Sequence, residues 1–101
     1  MASVREFFEG LEARTDPSKT EGMNNSFVFD IENAGTWTVR VNEGDVKVTE
    51  GAQDADATIT ASDETFEKII ANELNPTTAY MTGKLKLKGD LGAAMKLQKL
   101  F

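Results

Sequence analysis

The sequence predicts an α+β fold, and three observations lead there. Apolar residues recur at helical spacing near the N-terminus, switch to a period of two from residue 24, and return to helical spacing after residue 62. Short turns rich in Gly and Asn separate the first alternating segments, the pattern of a hairpin meander. A chain of 101 residues with 40% apolar side chains suits one packed core, so residues 1–101 are expected to form a single domain.

Val4, Phe7, Phe8 and Leu11 stand at i, i+3, i+4 and i+7, while Ser3 and Glu6 have the spacing of a capping box. The first helix therefore covers SVREFFEGLEAR, and TDPSKTEG is expected as a polar loop around Pro17. Phe27, Phe29 and Ile31 then alternate with Val28 and Asp30. After a turn at NAG, Trp37, Val39 and Val41 alternate with Thr38 and Arg40, which makes a hairpin. NEGD turns into a third strand at Val46 and Val48, completing an antiparallel meander with one apolar face. EGAQDAD is a longer loop into ATITA, where Ala57, Ile59 and Ala61 share a face.

Helical spacing then returns. Ser62 suits the N-cap of DETFEKIIANEL, with Asp63 and Glu64 in the first turn and Phe66, Ile69 and Ile70 on one side. Asn75 as N-cap and Pro76 at N1 open a helix at NPTTAYM. Gly83 releases the chain into the strand KLKLK, and Asp90 caps a closing helix, LGAAMKLQKLF. An antiparallel sheet needs only one face covered. The expectation is thus a five-stranded, mostly antiparallel sheet covered on one face by about four helices.

Composition removes whole classes of chemistry. Without cysteine there is neither a disulfide framework nor a thiolate, and without histidine the commonest general base and zinc ligand are missing. Asp54 and Asp56 are paired carboxylates in a loop, and acids at i and i+2 in a loop are usually just solvated. No enzyme, cofactor or metal site is expected. The N-terminus lacks the basic and apolar regions of a secretory signal, and no apolar run approaches the roughly 18 residues that span a bilayer. A cytoplasmic location is the expectation.

Charge is unevenly placed: residues 1–83 carry a net charge of −10 and residues 84–101 a net charge of +4. Lys84, Lys86, Lys88, Lys96 and Lys99 supply the positive segment. Two roles stay open for them: transient contact with an anionic membrane surface, or protection of a sheet edge against pairing. Nucleic acid is not an expected partner of so acidic a chain, which lacks a basic stripe interleaved with aromatics.

The closing helix is too apolar for an ordinary surface helix. At about 100° per residue its apolar arc spans about 220°, against about 100° for a helix with one buried face. Gln98 is the one polar interruption. Either the helix is wedged between sheet and neighbouring helix, or one side of it lines an apolar cavity in which Gln98 meets a ligand's polar head. A third possibility is an interaction or dimerisation module that uses the same apolar surface.

The segments FVFDIENAGTWTVRVNEG (27–44) and ADATITASDETFEKIIANELNPTTAYMTGKLKLKGDLGAAMKLQKLF (55–101), together with the Phe-rich first helix, resemble the lipid-binding domain of the sterol carrier protein type-2 family. NPTTAYMTGKLKLKGD and AMKLQKL are the specific part of the likeness. The resemblance implies a five-stranded sheet and helices around an apolar tunnel. That tunnel would hold a fatty acid, fatty acyl-CoA, phospholipid or sterol-like molecule and carry it between membranes. Carried over by position, the tunnel would be lined by Trp37, Ile70, Leu74, Met81, Leu87, Leu91, Met95, Gln98 and Phe101. The final KLF is not a peroxisomal signal of the Ser-Lys-Leu kind, so the chain resembles a short stand-alone prokaryotic member, monomeric or weakly dimeric, for which sterol is not the expected ligand.

Overall fold

The computed structural model describes residues 4–14, 17–90, 92 and 96. In chain order these form α1 (Val4–Arg14), α2 (Pro17–Thr20), β1 (Asn25–Glu32), β2 (Gly35–Asn42), β3 (Asp45–Glu50), β4 (Ala57–Ser62), α3 (Asp63–Ile70), α4 (Pro76–Met81) and β5 (Leu85–Gly89). The five strands make one mixed sheet in the order β3-β2-β1-β4-β5. Three of its pairings are antiparallel, and β1 with β4 is parallel. The α+β class and the mostly antiparallel sheet read from the sequence are those observed. The expected capping box at Ser3 and the closing helix after Asp90 lie outside the described residues.

Alternation along each strand sorts the side chains into two faces. On the helix side, Trp37, Phe29, Ile59 and Leu87 stand in one cross-strand row, with Val39, Phe27 and Ala57 in the next and Ile31, Ala61 and Leu85 on the other flank. Nearly all are buried, with Leu87 only partly so. Helix α1 lays Val4, Phe7, Phe8 and Leu11 on this face. The Phe8 ring stacks on Trp37 at a centroid distance of 4.5 Å and on Phe66 of α3 at 5.5 Å, both nearly parallel. Phe29 completes the cluster, 5.2 Å from Phe8 and 5.8 Å from Phe66. Such pairs add about 0.5–1.5 kcal/mol each beyond the area they bury.

The caps are those the sequence predicts. The Ser62 hydroxyl accepts from the Thr65 N–H, and the Asn75 side chain accepts from the Thr77 N–H. Lys68 pairs with Glu64 at 3.7 Å across one turn of α3.

Helix α3 is shorter than the expected DETFEKIIANEL, ending at Ile70 with Asn72 at a positive φ of 62° just beyond it. Two further features differ from expectation. The segment expected as a loop around Pro17 contains a helical turn, α2, because proline's fixed φ suits the first helical position. Thr20 at its end is fully buried, and its hydroxyl donates to the Gly44 carbonyl at 2.9 Å. Four residues are too few to show a period in the sequence. The second difference concerns the outer face of the sheet, where Val28 and Thr38 are buried although the helices lie on the opposite side.

Burial of that pair follows from topology. Strand β3 ends at one edge, and β4 begins beyond β1, so residues 51–56 must cross two strands. Three strand spacings come to about 14 Å, within the roughly 20 Å that six extended residues reach. The crossing runs over the outer face. Thr38 donates its hydroxyl proton to the Gly51 carbonyl at 2.7 Å and accepts from the Gln53 N–H at 3.1 Å. Arg40 donates to the Asp54 carbonyl at 2.7 Å, and the Asp56 carboxylate accepts from the Ser26 N–H at 3.1 Å.

Truncation of the stacked ring tests the cluster: Phe8→Ala is expected to lower stability by about 3–5 kcal/mol, measured by chemical denaturation. The two glycines that bound β5 give a graded pair. Gly83 (φ 80°) has open space where a Cβ would stand, whereas a Cβ at Gly89 (φ 94°) would collide with the carbonyl oxygen of Asp56. Gly83→Ala is expected to cost about 1–2 kcal/mol of backbone strain, and Gly89→Ala about 1–3 kcal/mol more through the collision. Equal thermal shifts for the two would contradict this account.

Candidate functional site

The core is not equally closed everywhere. At the α1 end of the apolar face Phe8, Phe27, Phe29, Trp37 and Phe66 are each at most 3% exposed. Arg5 of α1 lies with its guanidinium carbon 5.9 Å from the Trp37 ring centre. Closure loosens at both sheet edges, at Val46 and Val48 of β3 and towards β5. Ile70 at the end of α3, Leu74 in the α3–α4 connection and Leu87 of β5 pack on the core but are only partly buried. Met81 at the end of α4 is 79% exposed, and the neighbouring Tyr80 is 44% exposed.

The nine apolar or polar residues expected to line a ligand space therefore fall into three groups. Trp37 sits inside the sealed aromatic cluster. It shares a cross-strand row with Leu87 but stands three strands away, about 14 Å. Ile70, Leu74 and Leu87 occupy the looser β5 side, and the Met81 side chain stands mostly in solvent. Leu91, Met95, Gln98 and Phe101 lie outside the described residues.

Of the five lysines, Lys84, Lys86 and Lys88 are all exposed. Lys86 and Lys88 stand opposite Thr60 and Thr58 on the outer face, and β5 is an edge of the five-stranded sheet. Lys96 is also exposed, and Lys99 lies outside the described residues. The edge placement gives the lysine alternation a structural role, because lysine discourages a second strand from pairing there. Of the loop acids, Asp56 has a structural role through its carboxylate, and Asp54 takes part through its backbone carbonyl. Asp56 ties the crossing to Ser26, and the Asp54 carbonyl receives Arg40. Among the described residues no group of three or more acidic side chains is arranged to hold a metal ion.

Sequence reasoning did not find a polar groove at the start of β5. It is lined by residues that include Glu32, Thr60, Ser62, Thr65, Lys84 and Lys86. The alternation of Thr58, Thr60 and Ser62 marked these as outward positions. What brings them beside Lys86 and Glu32 is the pairing of β4 with β5 and β1, which local periodicity does not encode.

Comparison with known proteins gives this geometry a family. The model of the SCP-2 sterol transfer family matches residues 6–101. Hydroxysteroid dehydrogenase-like protein 2 of Xenopus laevis is 33% identical over 102 residues, which cover 96% of this chain and 24% of that protein. The chain thus spans about a quarter of the length of that curated relative. Among solved structures, the sterol carrier protein domain 2 of Helicoverpa armigera superimposes with a TM-score of 0.80 at 33% identity, covering 96% of this chain and 84% of the other. Palmitated sterol carrier protein 2-like 2 of Aedes aegypti gives a TM-score of 0.78 at 29% identity, covering 98% and 94%. With a family match over nearly its whole length and a shared fold, the chain belongs to the SCP-2 sterol transfer family, a family of lipid-binding and lipid-transfer domains.

Proposed function

We propose that this chain is a non-enzymatic carrier that holds one apolar lipid and moves it between membranes in the cytoplasm. The ligand class is a fatty acid, fatty acyl-CoA, phospholipid or sterol-like molecule. The observation that carries this reading is the unequal closure of the core. The centre is sealed by stacked rings and both sheet edges are partly covered, but only on the β5 side do partly buried Ile70, Leu74 and Leu87 adjoin a solvent-exposed apolar residue, Met81, among the described residues. A lipid chain laid against the β5 side would remove that surface from water at about 25 cal/mol per Å². The palmitated relative, of the same fold, supports an acyl chain as occupant.

The proposed lining of this space is Ile70, Leu74, Met81 and Leu87 from the described residues, joined by Leu91, Met95, Gln98 and Phe101. Trp37, stacked on Phe8 in the sealed cluster, stands apart from this lining. Gln98 offers the lining one amide to a polar head. The exposed lysines of β5, next to the exposed Tyr80 and Met81 of α4, fit transient contact with an anionic bilayer. The exposure of Met81 also favours a second reading, an interaction module in which that apolar surface meets a second copy. Light scattering separates the two: a tight dimer that excludes lipid would replace the carrier reading.

Native mass spectrometry of the gently purified protein is expected to show co-purified lipid. Occupancy at 100 times the dissociation constant would stabilise the fold by about 2.7 kcal/mol, read as a raised melting temperature. The absence of both retained lipid and uptake of a fluorescent fatty acid would overturn the carrier reading. Association with anionic vesicles is expected to fall with added salt, and to fall about tenfold or more on Lys86→Glu, at about 1 kcal/mol per unit charge. Salt-independent association would leave the lysines as edge protection alone.

A further inference from the structure

The geometry points to a second site, for a single phosphate group, in the groove where the outer side of β4 meets the start of β5. Its volume is about 230 Å³. That is below the roughly 300–1,000 Å³ of pockets that enclose a drug-sized ligand, so it has room for a head group and not for the chain attached to it. Strand pairing makes the lining polar. Thr60 faces Lys86 across β4–β5, and Ser62 faces Glu32 across β1–β4. Lys84 enters just before β5, and Thr65 comes from the first turn of α3.

The available donors suit an anion. Neither Lys84 nor Lys86 is ion-paired among the described residues, although Glu32 lines the same groove. The Ser62 hydroxyl is committed: it accepts from the Thr65 N–H at 3.1 Å and donates to Thr65 Oγ1 at 3.0 Å. The Thr65 hydroxyl is engaged by that same contact. Thr60 carries an uncommitted hydroxyl. The groove thus presents two ammonium groups and the Thr60 hydroxyl against one carboxylate, which suits a phosphate oxyanion. The amide of α3 nearest the groove is already capped, so side chains make the site.

The source of the phosphate, a lipid head group rather than a free ion, rests on the carrier reading; the site does not. Titration of the full chain with inorganic phosphate and with glycerol 3-phosphate, followed by amide NMR at 0.15 M salt, tests it. The expected shifts centre on Thr60, Thr65 and Gly83 to Lys86. Lys86→Gln should weaken binding about tenfold, and the uncharged Thr60→Val about fivefold. Lys88→Gln removes the same charge from the same strand outside the groove, and should change affinity by less than about threefold. Glu32→Gln should tighten binding. Preference for glycerol 3-phosphate assigns the site to a head group, and equal affinity assigns it to free phosphate; both outcomes keep the site. Absence of saturable shifts, or equal losses for Lys86→Gln and Lys88→Gln, overturns it and leaves the lysines as a diffuse field. Lipid retention is measured in parallel. Lipid without a phosphate site defeats this inference alone, whereas phosphate binding without lipid defeats the carrier reading alone.

Discussion

Contact between Phe8 and its two parallel neighbours, Trp37 and Phe66, is the interaction on which the rest of the molecule depends. It joins α1 to β2 and to α3, elements far apart in the chain. Two adjacent phenylalanines on one helix point about 100° apart, so both are buried only if the helix has two partners. Phe7 finds Phe66 edge-on at 5.6 Å, while Phe8 lies over the sheet. Once α1 is fixed there, its polar side falls along the β3 edge. Glu12 accepts the Val48 N–H at 2.8 Å, and Arg5 reaches Glu50 at 3.4 Å. The first of these occupies an edge amide that would otherwise be open to a second strand. The second is an exposed pair worth little by itself.

The parallel pairing of β1 with β4 is the second organising constraint. It places the two-stranded β4–β5 half of the sheet on the far side of β1 from the meander, and forces residues 51–56 over the outer face. That crossing accounts for a threonine, Thr38, at 1% exposure on a face with no helix. It also divides the sheet functionally. The β2–β1 half lies under the sealed rings, and the β4–β5 half carries the partly buried leucines on one side and the lysines with their groove on the other. The partly buried leucine surface and the polar groove therefore lie on opposite faces of the same two strands.

What could be read from the sequence was whatever is written in neighbours a few residues apart. The alternation of Phe27, Phe29 and Ile31, the Ser62 and Asn75 caps and the Gly83 and Gly89 boundaries are all local, and each holds. Val28 and Thr38 were read as simple alternates, because the chain that covers them arrives from residues 51–56. The turn at Pro17 was too short to carry a period. The 79% exposure of Met81 reflects how α4 is set against the sheet, which no local pattern specifies. The phosphate groove was out of reach for the same reason: its lysines, threonines and glutamate come from four separate elements.

The parallel seam also orders events in time. β1, β2 and β3 are joined by turns of two residues, Asn33–Ala34 and Glu43–Gly44, so their pairings close short loops. β4 has no such neighbour: Ala57 is far along the chain from Glu32, and Leu85 far from Ser62. Closing those longer loops carries more chain entropy, and pairings of that kind form late. The meander is thus the part of the sheet closed by local turns, and β4 with β5 is the part whose pairing closes longer stretches of chain. A lipid that seats against β5 would reach the molecule where the architecture is youngest, and would serve as the last piece of the core to be put in place.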